Sequence, residues 1–152
     1  MNQENKEVCL VPVGGLANRM RAIVSVLNAC QKAGVKLKIV WFRNRELNAP
    51  FFSLFNPLRS LNVTVKEAAR IDFLRYYRPV KKNLWLSKYY LRSHFDKVLS
   101  MTDCIPIVRD EQNLVNLISE TERLYMESCY DMGSYRNIRE IMSPNRRLSR
   151  RI

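Results

Sequence analysis

The first 42 residues alternate between apolar runs and a helical pattern. Residues 8–13 form a continuous apolar run, typical of a strand that is buried on both faces of a sheet. Gly14-Gly15 ends this run, and a helical period follows over residues 17–33 until Gly34. One helix face carries Leu16, Met20, Ile23, Val24, Leu27 and Cys30, and the other carries Asn18, Arg21, Ser25 and Asn28. A second strand over 35–42 completes a predicted parallel βαβ unit with a right-handed crossover.

The rest of the chain continues this alternation with weaker patterns. Helical segments are predicted over 50–55, 83–99 and 113–119, and from Ser134 through Met142. Strands are predicted over 63–65, 104–108 and 124–130, and Asp110 is placed to cap the helix that follows it. The pattern predicts an α/β fold, a Rossmann-like parallel sheet flanked by helices, in a single domain over residues 1–152.

The composition is that of a globular protein. Of the 152 residues, 47% are hydrophobic and 26% are charged. A chain of this length and hydrophobic content can bury a core. No apolar run reaches the roughly 18 residues of a membrane-spanning helix. The stretch 1–7 is polar and lacks the apolar segment of a secretory signal. We therefore expect a cytoplasmic protein, and a peripheral association with the inner face of the membrane is a further option.

The cysteines and the histidine argue against a disulfide framework and against a zinc centre. No Cys-x-x-Cys pair occurs among the four cysteines, which are Cys9, Cys30, Cys104 and Cys129. Because the chain shows no secretory signal, we expect these thiols to be reduced and mostly buried. His94 is the single histidine, so a zinc centre is not expected. The sequence therefore predicts free thiols and no bound metal.

The net charge of +12 favours polyanionic partners such as nucleic acid, anionic lipid headgroups or nucleotide phosphates. Between residues 70 and 97, eight basic residues accompany two acidic ones. Aromatic residues interleave there, in Tyr76-Tyr77-Arg78 and Tyr89-Tyr90-Leu91-Arg92. This suits single-stranded nucleic acid, and equally a half-buried helix whose basic side chains extend to solvent. A second basic cluster comprises Arg146, Arg147, Arg150 and Arg151.

The segment most informative about chemistry is Gly14-Gly15-Leu16-Ala17-Asn18-Arg19-Met20-Arg21. Two glycines permit a sharp turn and a close approach of a ligand. The helix that follows directs its free N–H groups and positive dipole end towards that turn. Asn18 offers an amide, and Arg19 and Arg21 offer guanidinium groups suited to phosphate oxygens. The same residues also fit a plain strand-to-helix turn, with Asn18 as the cap and the arginines on a solvated face.

This segment, placed after a first strand and opening a helix, resembles the N-terminal motif of the fucosyltransferase superfamily, as found in protein O-fucosyltransferase-like enzymes and related bacterial glycosyltransferases. The resemblance implies the N-terminal half of a GT-B enzyme. Such enzymes invert the sugar configuration, need no metal or other cofactor, and transfer a sugar from a GDP-sugar, here GDP-fucose, to a hydroxyl of a glycan or other acceptor. It also implies that the nucleotide-sugar site contains Gly14, Gly15, Leu16, Ala17, Asn18 and Arg19, with Arg21 as a further candidate.

One departure from the family pattern limits these expectations. The family's second half carries a His-x-Arg-Arg motif whose arginines bind the diphosphate, whereas His94 is followed by Phe95-Asp96-Lys97. We therefore expect an N-terminal half that is inactive as this 152-residue chain alone. The alternative is a non-enzymatic basic domain that binds nucleic acid or an anionic membrane surface, although no specific nucleic acid is expected.

No catalytic residue is identified from the pattern. His94 and Asp96 are more typical of a surface pair on a helix than of an acid/base dyad. The glutamates that could include a base, and that spacing does not separate, are Glu67, Glu111, Glu120 and Glu127.

Overall fold

A computed structural model describes residues 5–59, 62–76, 84–133 and 137–145. Its sheet has five strands in the order β3-β2-β1-β5-β4, and every pair of neighbours is parallel. The strands are β1 (Glu7–Pro12), β2 (Lys36–Trp41), β3 (Val63–Glu67), β4 (Lys97–Leu99) and β5 (Arg123–Ser128). At the centre, Leu10 of β1 is in register with Ile39 of β2 and with Met126 of β5.

Within the described ranges, six α-helices connect or flank these strands. They are α1 (Leu16–Ala33), α2 (Phe51–Leu54), α3 (Asp72–Arg75), α4 (Leu84–His94), α5 (Glu111–Glu120) and α6 (Ile138–Ile141), and a 3₁₀-helix covers Ile105–Ile107. None of the helices in the described ranges is long and apolar enough to cross a membrane.

The two faces of the sheet bury two separate hydrophobic cores because successive strand residues point to opposite sides. Val8 and Leu10 of β1 belong to the core beneath α1 and α5. Cys9 and Val11 belong to the core on the other face, together with Leu91 of α4. A strand covered on both sides needs apolar residues at every position, which explains the continuous apolar run at 8–13.

The predicted fold class is confirmed. The chain is an α/β protein with an all-parallel, Rossmann-like sheet flanked by helices, and its first unit is the predicted parallel βαβ. The strands predicted over 63–65 and 124–130 correspond to β3 and β5, and the helical turns at 50–55 to α2. Asp110 caps α5, because its carboxylate accepts the backbone N–H of Asn113 at 3.1 Å.

Two predicted elements differ from the structure. The helix predicted over 83–99 is confirmed as α4, but it ends at His94, and β4 begins at Lys97. The backbone N–H of Asp96 donates to the carbonyl of Arg123, and this places the chain beside β5. The strand predicted over 104–108 is instead the 3₁₀-helix Ile105–Ile107, since Pro106 cannot donate a ladder hydrogen bond. The helix predicted from Ser134 has its first residue outside the described ranges, and α6 begins at Ile138.

The predicted polar face of α1 is only partly exposed. Ser25 is buried, its hydroxyl donates to the carbonyl of Arg21 at 2.8 Å, and it accepts the backbone N–H of Met132 at 3.1 Å. Asn28 donates to the side-chain oxygen of Asn137 at 3.1 Å. Met132 and Asn137 follow β5, more than 100 residues along the chain, so the periodicity of α1 alone could not reveal these partners.

Candidate functional site

The glycine turn lies at the carboxyl edge of the sheet, directly after β1. Gly14 has φ +86°, a left-handed conformation that residues with a Cβ rarely adopt. A Cβ at this position would lie 3.4 Å from the Cβ of Asn18 and 3.5 Å from that of Cys129, which follows β5. Gly14 is therefore required by the turn itself.

Gly15 differs from Gly14, because neither its conformation nor its surroundings require glycine. Its φ and ψ are −71° and 173°, ordinary extended values, and a Cβ there would meet no atom within 4 Å. Gly15 is also the N-cap residue of α1, and no side chain caps this helix end or places an acidic group in its first turn. The first helical N–H groups therefore have no side-chain cap, and they carry the positive end of the helix dipole.

Three of the predicted site residues, Leu16, Ala17 and Asn18, are exposed in the first turn of α1. The amide of Asn18 is free of the capping role that pattern alone allowed, because Gly15 occupies the N-cap. Arg21 is exposed one turn later, and its guanidinium lies 3.4 Å from the side-chain oxygen of Asn18. These residues form a polar rim beside the glycine turn.

Arg19 has a different role, because its side chain is fully buried. The guanidinium donates to the carbonyl oxygens of Gly14 at 2.7 Å and Phe42 at 2.6 Å, and to the side-chain oxygen of Asn44 at 3.0 Å. It also lies over the ring of Trp41, 4.8 Å from the centroid. Arg19 is therefore not on the solvated face that the alternative interpretation gave it, and its guanidinium, proposed for the nucleotide-sugar site, instead holds the glycine turn from a buried position.

The loop held by Arg19 leads into a second part of the site. The side-chain oxygen of Asn44 accepts the backbone N–H groups of Glu46 and Leu47, each at 3.1 Å, and so shapes the loop after β2. Beyond it, Phe51 packs into the core on the α1 side. The loop after β3 instead leads to Phe73, which packs against the core on the α4 side.

Because β2 and β3 continue to opposite faces, a crevice opens at their carboxyl ends, which is where open α/β sheets commonly bind ligands. The register pairs Trp41 with Glu67 at the last position of both strands. The resulting cavity has a volume of about 460 Å³ and is lined by Trp41, Arg43, Asn48, Pro50, Glu67, Ala68, Arg70 and Phe73. We refer to the space lined by these residues as the β2/β3 cavity.

The charges of the β2/β3 cavity are mainly basic. Arg43 and Arg70 are exposed at its border, and the carboxylate of Glu67 accepts the backbone N–H of Phe51. The turn that carries Arg70 is held by Asp72, which is buried, accepts the N–H of Ala69 at 2.8 Å and pairs with the ammonium group of Lys66 at 2.9 Å. The cavity can accept an anionic or hydroxyl-rich group.

Sequence reasoning missed most of this cavity because no local pattern joins residues that follow different strands. Among the four glutamates considered as a base, Glu67 is the one that lines it. Glu111 instead pairs with Lys32 at 2.8 Å, and Glu120 is exposed at the end of α5. Glu127 lies within β5.

The remaining candidates lie elsewhere. His94 is exposed and stacks on Tyr90, with 4.0 Å between the ring centroids. The Asp96 carboxylate accepts the backbone N–H of Arg123 at 2.9 Å. Both side chains are exposed, as predicted, but they have separate partners and Asp96 lies beyond the end of α4, so the predicted pair on a helix is wrong. The terminal cluster Arg146, Arg147, Arg150 and Arg151 lies outside the described residues.

The four cysteines are unpaired. Cys9, Cys30 and Cys104 are buried, and burial raises the pKa of each thiol to about 12. Cys129, beside Gly14, is half-buried, and this partial burial also raises its pKa. Within the described ranges no group of three or more His, Cys, Asp or Glu side chains is arranged to hold a metal ion.

Fold and site together define a Rossmann-like α/β protein with an open glycine turn at the carboxyl edge of its parallel sheet. Comparisons with protein-family models, curated proteins and solved structures find no match to this chain.

Proposed function

We propose that the chain is the N-terminal half of a fucosyltransferase-like glycosyltransferase, and that its glycine turn forms one wall of a GDP-sugar site. The resemblance of residues 14–21 to the family motif prompts the proposal. The observation that carries it concerns Gly15. Neither the backbone conformation nor the packing requires glycine at this position, which precedes a helix without a side-chain cap. A side chain there would occupy the space through which a phosphate reaches the helix N–H groups.

The proposed chemistry follows from this placement. An acceptor hydroxyl attacks the anomeric carbon and releases its proton to solvent, the bond from that carbon to the diphosphate oxygen breaks, and the configuration inverts. Negative charge develops on the departing GDP. The N–H groups of the first α1 turn and the amide of Asn18 would stabilise that charge, with Arg21 adding a cation at the rim. Arg19 contributes indirectly, by fixing the turn.

The β2/β3 cavity would receive the acceptor. It lies at the same edge of the sheet as the glycine turn, and Arg19 connects the two through Phe42 and Asn44. Its Asn48, Glu67 and arginines offer donors and acceptors for the hydroxyl groups of a glycan.

Binding of GDP-fucose by the 152-residue chain should be weak, because the chain lacks the His-x-Arg-Arg arginines that bind the diphosphate in the family. Each charge-assisted hydrogen bond contributes on the order of 1.5–3 kcal/mol, so the loss of two weakens affinity by roughly two to four powers of ten. We expect millimolar affinity and no sugar transfer by the chain alone.

The test is an amide NMR titration of the chain with GDP-fucose. We expect shift changes concentrated at Gly15, Leu16, Ala17 and Asn18, diminished in Asn18→Ala and Gly15→Val. Asn116→Ala, an exposed asparagine on α5, is the matched control and should bind as the parent does. Shift changes that avoid the glycine turn, or none at millimolar ligand, would overturn the proposed site. Micromolar affinity that Asn18→Ala abolishes would instead show that this chain needs no second half.

A further inference from the structure

Helix α4 presents the most exposed aromatic side chains of the described residues. Trp85 is 69% exposed and Tyr89 is 73% exposed. The opposite side of the helix holds it against the domain, since Leu91 is buried in the core and the buried Ser87 donates to the carbonyl of Leu74 at 2.8 Å. Large aromatic side chains left this exposed commonly mark an interaction surface.

Two cations share the exposed side of α4 with these rings. Residues 85, 88, 89 and 92 follow the three- and four-residue spacing of one helix face. Trp85, Lys88, Tyr89, Arg92 and Ser93 line a groove of about 510 Å³. We call Trp85, Lys88, Tyr89 and Arg92 the α4 face.

The cations of the α4 face also border a smaller hollow on their other side. Lys88 and Arg92 line a cavity of about 260 Å³ together with Ser100 and Asp103, which follow β4. The Asp103 carboxylate accepts the backbone N–H of Ser100 at 2.9 Å and its hydroxyl at 2.7 Å. The helix α4 itself contains no acidic residue. An anionic group placed between the rings and this hollow would meet both cations.

We propose that the α4 face docks on a membrane surface that contains anionic lipids. Tryptophan and tyrosine side chains are favoured at the level of lipid headgroups, where one part of the ring system is apolar and another is hydrated. Lysine and arginine beside them pair with the anionic headgroups, and the net charge of +12 adds a long-range attraction to such a surface.

The shape of the face favours a membrane over single-stranded nucleic acid. Trp85 and Tyr89 project from the convex side of one helix, and Leu86 next to them is 37% exposed. An exposed aliphatic side chain beside the rings suits the apolar boundary of a bilayer, whereas it offers a nucleic-acid base no aromatic surface to stack on. The other aromatic residue in this stretch, Tyr90, is occupied by stacking on His94 and by its edge-to-face contact with Tyr76.

The two tryptophans make a direct test available. Trp41 is fully buried, so a change in fluorescence upon addition of vesicles reports on Trp85. With vesicles of phosphatidylcholine containing about 30% phosphatidylserine, we expect a blue shift and quenching by shallow brominated lipid. Vesicles of phosphatidylcholine alone should produce neither, and about 1 M salt should abolish binding to the anionic vesicles.

Matched variants separate the face from the overall charge. We expect Lys88→Gln with Arg92→Gln, and separately Trp85→Ala with Tyr89→Ala, each to lower the vesicle partition coefficient about tenfold or more in sedimentation assays. Arg45→Gln with Arg139→Gln removes the same charge from exposed positions elsewhere and should change it less than about threefold. Circular dichroism verifies that each variant is folded.

Several outcomes would overturn the proposal. They are equal binding to neutral and anionic vesicles, no binding to either, or an equal loss in the control pair. A shift of Trp85 fluorescence by a uridine homopolymer but not by vesicles would assign the face to single-stranded nucleic acid instead. The outcome is independent of the GDP-sugar titration, because the α4 face contains none of the glycine-turn residues.

Discussion

The guanidinium of Arg19 donates to the side-chain oxygen of Asn44 at 3.0 Å, and so joins the first turn of α1 to the loop that follows β2. Its other hydrogen bonds, to the carbonyls of Gly14 and Phe42, lie on the two sides of the same junction. One buried side chain therefore sets the position of the glycine turn relative to the β2/β3 cavity.

Replacing Arg19 should destabilise the whole domain. Arg19→Ala leaves the carbonyls of Gly14 and Phe42 without their charged donor and opens space beside Trp41. We expect a loss of about 3 kcal/mol in the free energy of unfolding, measured by urea denaturation. Arg19→Lys should recover only part of it, because a single ammonium cannot reproduce the planar fork. Arg21→Ala, at an exposed position, is the control and should stay within about 0.5 kcal/mol. An Arg19→Ala protein as stable as Arg21→Ala would refute the positioning role.

The two glycines of the turn should respond differently to alanine. Gly14→Ala forces a side chain into φ +86° and should cost about 1–2 kcal/mol of stability. Gly15→Ala should change stability by less than about 0.5 kcal/mol, because its backbone is extended and its surroundings are open. Thermal and urea unfolding of the pair decide the matter, and equal costs at both positions would contradict the described turn.

Among the thiols, Cys129 should react first with a thiol reagent in the folded protein. It is half-buried beside the glycine turn, whereas Cys9, Cys30 and Cys104 are enclosed. At about pH 8 we expect one slowly reacting group in native protein, since a raised pKa leaves little thiolate. All four should react in denaturant without reductant. Cys129→Ser should remove the native reaction, and a second accessible thiol would show that the core is less closed than described.

The buried thiols should make the protein sensitive to alkali. Burial raises the pKa of Cys30 from 9.0 to about 12, so between these values the folded chain holds a proton that the unfolded chain has lost. The free energy of unfolding therefore falls as pH rises through this window, by about 1.4 kcal/mol per pH unit for each such thiol. Below about pH 9 the thiols should have no effect. Urea unfolding of Cys30→Ala across this range should show a shallower decline, and an unchanged slope would exclude this cause.

The outline of the fold was predictable wherever the signal is local. A continuous apolar run followed by Gly14-Gly15 and a helical period needs no distant partner to be recognised, and β1, α1 and β2 were found in this way. The Asp110 cap is equally local, because its acceptor and donor are three residues apart. The short strand β4 was missed, since Lys97 becomes part of a strand only by pairing with Leu124 of β5.

In the candidate site, too, the features with a local sequence signal were predictable and those that depend on tertiary contacts were not. The sequence alone determined the glycine turn and the excess of basic residues, because residue type and spacing along a short segment are sufficient for each. Only the tertiary structure decided that Arg19 points inward, since its acceptor at Phe42 follows β2, 23 positions along the chain. It also decided that Trp41 and Glu67, the last residues of β2 and β3, lie side by side and line the β2/β3 cavity. Strand register is set by pairing across the sheet rather than by either strand alone.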